Sequence, residues 1–90
     1  MMNGMANKVV MYSTTFCGDC RAAKAFLDQN KIEYTNVNIE DDDEARQLVI
    51  RVNNGKRSVP TFDIDGQYLN ASPFTFEKRK KLAEALGISL

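Results

Sequence analysis

Apolar residues recur along this chain at two different periods, and the switches between them predict its elements. Val9, Val10, Met11 and Tyr12 form a short continuous run of strand formers, the pattern of a buried β-strand. Polar residues 13–15 and Phe16 follow as a loop. From about Gly18 to Asn30 the period becomes helical, with Ala22, Ala23, Phe26 and Leu27 inward and Arg21, Lys24 and Asp28 toward water. Tyr34, Val37 and Ile39 mark a second strand whose polar neighbours suit a sheet edge. Ala45, Leu48, Val49 and Val52 fall at i, i+3, i+4 and i+7, a second helix stopped by Asn53-Asn54-Gly55. Its acidic lead, Glu40-Asp41-Asp42-Asp43-Glu44, reads as first-turn carboxylates that cap free amides rather than as a cation site.

Phe62 and Ile64 predict a third strand, Asp65-Gly66 a tight turn, and Gln67-Tyr68-Leu69 a returning fourth strand. Ser72 as N-cap and Pro73 at the first helical position predict a last helix. It buries Phe74, Leu82, Ala83 and Leu86 and stops at Gly87. Glu77 with Lys81, and Lys80 with Glu84, stand at i,i+4, so the basic run at 78–81 reads as a solvated helix face rather than an anion patch. The order is βαβαββα. Its first three elements predict a right-handed parallel crossover, and the hairpin adds two antiparallel strands. The expected architecture is therefore α/β, a four-stranded mixed sheet with helices on both faces.

Composition narrows the chemistry. Ninety residues suit one domain, expected at 8–90 behind a flexible N-terminal leader at 1–7. Twelve basic side chains balance twelve acidic ones, so no basic surface calls for a nucleic-acid partner. No apolar run approaches the roughly 20 residues of a membrane span, and the leader lacks a charged stretch followed by an apolar one. The expected location is cytoplasmic, where a purely structural disulfide does not persist.

That makes Cys17 and Cys20, the only two thiols, either reactive or metal-binding. They stand as Cys17-Gly18-Asp19-Cys20 between the first strand and first helix, the context of a dithiol redox site. At the helix start Cys17 meets free amides and the positive end of the dipole, which favour thiolate, the attacking species. Cys20, one turn on and more shielded, is placed to resolve a mixed disulfide on Cys17. A zinc site wants four Cys or His ligands. With two cysteines and no histidine, only a dimer sharing zinc or an iron–sulfur cluster closes such a shell. Asp19 puts a negative charge beside Cys17 and is expected to raise its pKa, making the pair a better reductant. Asp63 falls on the opposite strand face from Phe62 and Ile64; it is either a buried proton acceptor or, as expected of an aspartate, at an exposed sheet margin.

A second feature is Arg57-Ser58-Val59-Pro60. A proline opening the third strand is most simply accommodated by a cis Val59-Pro60 peptide. Such a turn exposes the Val59 backbone to pair with an extended substrate. Arg57, just before it, can hold a carboxylate of a small thiol or peptide.

With these residues in place the chain resembles the glutaredoxin family of the thioredoxin-like fold. Tyr12-Ser13-Thr14-Thr15-Phe16-Cys17-Gly18-Asp19-Cys20 is similar to that family's active-site segment. Ser58-Val59-Pro60 is similar to its Thr-Val-Pro motif, and Phe62-Asp63-Ile64-Asp65-Gly66 to its following hairpin. The resemblance spans about residues 8–87. It implies Cys17 as nucleophile, Cys20 as resolving thiol, and backbone docking at Val59 and Pro60. Three positions depart from the family pattern: Gly18-Asp19 replaces Pro-Tyr or Pro-Phe, and Thr14 replaces a lysine that meets a glutathione carboxylate. Leu69-Asn70-Ala71-Ser72-Pro73 stands where the family grips the glutathione amino end. The run from Tyr12 to Cys17, with Arg57 before the proline motif and Asn70 to Pro73 after the hairpin, looks closer to mycoredoxin-like and other bacterial glutaredoxin-like proteins, which use a different small thiol or thioredoxin reductase.

The expectation is a monomeric thiol–disulfide oxidoreductase that reduces protein disulfides or mixed disulfides. Its co-substrate is a low-molecular-weight thiol such as glutathione or an analogue, or a thioredoxin-reductase-type donor, with no resident cofactor and no metal. Candidate substrate-binding residues are Thr15, Phe16, Arg57, Ser58, Val59 and Pro60. The rival reading is a dimeric iron–sulfur carrier using Cys17 and an external thiol.

Overall fold

The computed structural model describes residues 7–89. Seven elements follow in chain order: β1 (Val9–Ser13), α1 (Gly18–Gln29), β2 (Thr35–Asn38), α2 (Asp43–Val52), β3 (Thr61–Ile64), β4 (Gln67–Asn70) and α3 (Phe76–Leu86). The sheet order is β2-β1-β3-β4. β1 and β2 are parallel, and the other two pairings are antiparallel. This is the predicted βαβαββα arrangement around a mixed sheet.

Alternation along β1 divides the core. Val9 and Met11 join Phe62 and Ile64 against α1 and α3, through Ala23, Phe26 and Leu27 and through Leu82, Ala83 and Leu86. Val10 and Tyr12 point the other way, onto Ala45 and Val49 of α2. Helices therefore cover both faces, because a strand's side chains alternate while each helix offers one apolar stripe. None among the described helices is long and apolar enough to cross a membrane.

The local signals mostly act as predicted. Asp42 caps α2 by accepting from the Ala45 amide at 3.0 Å, and Gly87 ends α3 with φ 79°. The hairpin turns through Asp65 and Gly66, at φ 52° and 91°, where glycine takes a positive φ without the Cβ cost. Asp65 also accepts from the amides of Asn7 and Lys8, pinning the start of β1. The expected leader lies outside the described residues except for Asn7. Asp63 sits opposite Val10, on the α2 face, half-buried, and accepts from the Gly66 amide at 2.8 Å. Its role there is to hold the hairpin turn.

Three expectations need correction. Ala22 is exposed, because Cys20 takes the inward position one turn before Ala23. The last helix begins at Phe76, not Pro73, and its N-cap is Thr75, whose hydroxyl accepts from the Lys78 amide. Ser72 instead donates its amide to Asn70 Oδ1, and Thr75 donates to the Pro73 carbonyl. Residues 72–74 thus form a turn, containing a cis Ser72-Pro73 bond, and Phe74 packs on the core ahead of the helix. Finally, Glu77–Lys81 and Lys80–Glu84 do not form ion pairs; among the described residues the one ion pair joins Arg46 to Asp43. Exposed lysines gain too little from pairing to give up side-chain freedom.

Candidate active site

Cys17 is the N-cap of α1, with extended backbone at φ −142° and ψ 105°. Its sulfur occupies the place of a capping oxygen and accepts from the Cys20 amide at 3.0 Å. The helix forms here because Gly18 and Asp19 lead into the apolar stripe at Cys20, Ala23, Phe26 and Leu27. Cys17 and Cys20 are joined as a disulfide, with Cα atoms 5.2 Å apart. Their settings differ: Cys20 is 4% exposed, whereas Cys17 is partly open. The pair is thus one accessible sulfur backed by one shielded sulfur.

Asp19 is half-buried and accepts from the Phe74 amide at 3.1 Å. That bond ties the redox motif to the turn before α3, a link across 55 residues. Gly18 has no atom within 4 Å of where a Cβ would stand, so no packing constraint demands glycine there.

The loop entering the motif is held from β2. Thr15 donates both its amide, at 3.0 Å, and its hydroxyl, at 2.6 Å, to one oxygen of Glu40. Asn38 completes the net, giving a side-chain N–H to the Thr15 hydroxyl and accepting from the Glu40 amide. The Thr15 hydroxyl and then its amide hold the Glu40 carboxyl below the ordinary glutamate value; the Arg57 charge and Asn38 add to this, against slight desolvation. Phe16, between this anchor and Cys17, is 92% exposed.

Val59-Pro60 is cis, as predicted. β3 runs antiparallel to β1 with Thr61 opposite Tyr12. Pro60 therefore lies at the sheet end from which residues 14–17 leave β1. The Pro60 carbonyl accepts from the Ala71 amide at 2.9 Å. Thr61 is the hub behind it, donating to the Ser58 carbonyl at 2.7 Å and accepting from Asn53 and Asn70. Asn70 also reaches the Ser58 hydroxyl, and Arg57 remains exposed.

The predicted residues therefore divide into two groups. Thr15, Cys17 and Cys20 line a cleft with Thr14, Arg21, Lys24 and Asn36, whereas Phe16 and residues 57–60 lie outside that cleft. The pattern-based reading missed Glu40, Asn38 and Thr61. Glu40 was read with its acidic neighbours as part of a helix start, and no local signal distinguishes it. Among the described residues no group of three or more His, Cys, Asp or Glu side chains could hold a metal.

The sequence profile of the glutaredoxin family matches residues 9–69. A Mycobacterium tuberculosis protein assigned as a glutaredoxin is 38% identical over 80 residues, 88% of this chain and 94% of that protein. Among solved structures, the glutaredoxin of Methanosarcina mazei superposes with a TM-score of 0.73 at 26% identity, covering 97% of this chain and 85% of its own. A buckwheat glutaredoxin in complex with glutathione gives 0.66 at 26% identity, over 92% and 83%. With its paired cysteines at the start of α1 and this fold, the chain belongs to the glutaredoxin family and is a glutaredoxin-like thiol–disulfide oxidoreductase.

Proposed function

We propose that Cys17 is the nucleophile and Cys20 the resolving thiol in the reduction of protein disulfides and mixed disulfides. The observation that carries this is the position of the Cys17 sulfur: at the N-cap, bonded to the Cys20 amide, and more open than its partner. An amide donor and the helix dipole stabilise negative charge on that sulfur in the reduced protein. Its thiolate attacks one sulfur of the substrate disulfide, forming a Cys17 mixed disulfide and expelling the other sulfur as thiolate. Cys20 then gives up its proton and attacks the Cys17 sulfur, closing the internal disulfide and releasing the second substrate thiolate. Two electrons leave the protein per turnover, and two external thiols or one dithiol restore it.

Val59 and Pro60, with Ser58 held by Asn70 and Thr61, are the proposed docking segment for the substrate backbone. Exposed Phe16 offers apolar contact beside Cys17, and Arg57 a charge. Thr15 has its amide and hydroxyl committed to Glu40, so its part is to hold the loop and the cleft wall. The proposed electron donor is a low-molecular-weight thiol or a thioredoxin-reductase-type enzyme, in a monomer working in the cytoplasm. Glutathione is bound in the buckwheat relative. Here the Phe74 amide, in the turn near where the resemblance puts the glutathione grip, is already bonded to Asp19, which favours another thiol.

The test is turnover of a mixed-disulfide substrate with glutathione, mycothiol, bacillithiol or thioredoxin reductase supplied in turn. At least one donor is expected to sustain turnover that Cys17→Ser abolishes. Turnover that survives Cys17→Ser, or fails with all four, would contradict the reading.

A further inference from the structure

Where β1 and β2 part, one side chain continues the work of the ladder. The strands pair in parallel as far as Ser13 and Asn38, and one more bond follows, from the Ile39 amide to the Ser13 carbonyl at 2.9 Å. Beyond it residues 14–16 run to the start of α1, while residues 39–42 turn toward α2. Glu40 spans this gap by accepting the Thr15 amide and hydroxyl on one carboxylate oxygen. It is held in turn by Asn38, which accepts from its amide and donates to the Thr15 hydroxyl. Two other acids of the same run are committed to α2: Asp42 caps it and Asp43 pairs with Arg46. Among the described residues, the hydrogen bonds on residues 14–16 all run through Thr15, and Phe16 is too exposed to anchor the loop by packing.

Cys17 leaves this loop with its sulfur on the Cys20 amide, and in the oxidised chain the disulfide keeps it there. Reduction removes that restraint, so the place of the sulfur then depends on the backbone that delivers it. We propose that Glu40 is a positioning residue for Cys17, its carboxylate holding residues 14–16 so that the reduced sulfur stays over the start of α1. This rests on the reading of Cys17 as nucleophile and adds to it a residue from the connection between β2 and α2. A held loop spends less time in conformations where the thiolate lacks its amide donor, which favours ionisation and keeps the attacking atom in one place. The Arg57 charge acts on the same carboxylate and favours its ionised form, the stronger acceptor.

The test uses the reduced Cys20→Ser chain, in which Cys17 is the one thiol, with Glu40 kept or changed to Gln or Ala. Gln keeps an oxygen acceptor and Ala does not, while neither carries charge, so comparing the two separates positioning from the electrostatic effect of the carboxylate. The readouts are the pH profile of Cys17 alkylation by iodoacetamide and the rate of attack on hydroxyethyl disulfide. In Glu40→Ala, Cys17 is expected to ionise at higher pH than in Glu40→Gln and to attack the disulfide about fivefold more slowly at neutral pH, the scale of one net hydrogen bond. Glu44→Ala removes one charge from the same acidic run and is expected to move neither readout. Matching profiles and rates in the Ala and Gln chains would overturn the proposal, even with a lower urea midpoint in the Ala chain, which would make Glu40 structural only. An equal effect from Glu44→Ala would also overturn it. If the chain with both cysteines reduces no disulfide while alkylation still separates Ala from Gln, the redox reading fails and the clamp stands.

Discussion

Thr61→Val is the sharpest test of how the fold holds the segment at residues 57–60. Thr61 is 1% exposed, and its hydroxyl takes part in three hydrogen bonds, one given to the Ser58 carbonyl and two accepted from Asn53 and Asn70. Valine keeps the shape and removes all three. Asn53 retains the Val49 carbonyl and Asn70 retains the Ser58 hydroxyl, so those two losses fall at the low end, about 0.5 kcal/mol each. The Ser58 carbonyl loses its Thr61 partner, at about 1 kcal/mol. The sum is about 2 kcal/mol, a large share of a small domain's stability. With a urea slope of about 1 kcal/mol/M, the unfolding midpoint should fall by about 2 M at unchanged slope. Thr61→Ser keeps the hydroxyl and loses only a methyl, so its fall should be roughly half as large. The assay is equilibrium urea unfolding, with amide exchange at Val59 as a local probe. A midpoint shift below about 0.5 M, or a serine variant as unstable as the valine one, would refute the hub.

Two further predictions concern the motif and its loop. Because Thr15 lowers the Glu40 pKa, the ionised carboxylate is favoured in the folded protein. Its contribution is full above the ordinary glutamate value and is lost as pH falls through the lower folded value. The Thr15 amide NMR shift should therefore stay constant from neutral pH down to the ordinary glutamate range and titrate only below it, and Glu40→Gln should abolish that titration; a midpoint at or above the ordinary value would contradict it. Asp19→Asn keeps an acceptor for the Phe74 amide while removing the charge beside Cys17. Thiolate ultraviolet absorbance of the reduced protein, followed against pH, should show Cys17 ionising at lower pH in the variant than in the unmodified chain, and no such fall would refute the role given to Asp19.

Local rules made much of this structure readable. The run Val9 to Tyr12, the helical spacing of Ala45 and Val49, and Asp65-Gly66 each carry their own period or turn chemistry, and β1, α2 and the hairpin follow them. Cys17 and Cys20 were legible for the same reason, since a helix start is a local event. What the pattern missed is non-local. The Glu40–Thr15 bonds cross 25 residues and the Asp19–Phe74 bond crosses 55, and periodicity carries no information about which distant loop a side chain meets. The start of α3 was misplaced because Ser72-Pro73 and Thr75 both carry capping chemistry. The choice between them rests on Ser72 bonding back to Asn70. Arg21 and Lys24 read as solvated helix charges, and only the position of β2 beside α1 turns them into the wall of a cleft.

The central claim is that Cys17 attacks and Cys20 resolves. It is tested most directly by treating the reduced Cys20→Ser and Cys17→Ser variants with excess alkyl disulfide and mapping the adducts by mass spectrometry. The account predicts rapid accumulation of a stable mixed disulfide on Cys17 in Cys20→Ser, slow modification of the buried Cys20 in Cys17→Ser, and closure of the internal disulfide in the unmodified chain. Faster adduct formation on Cys20 than on Cys17 would contradict it.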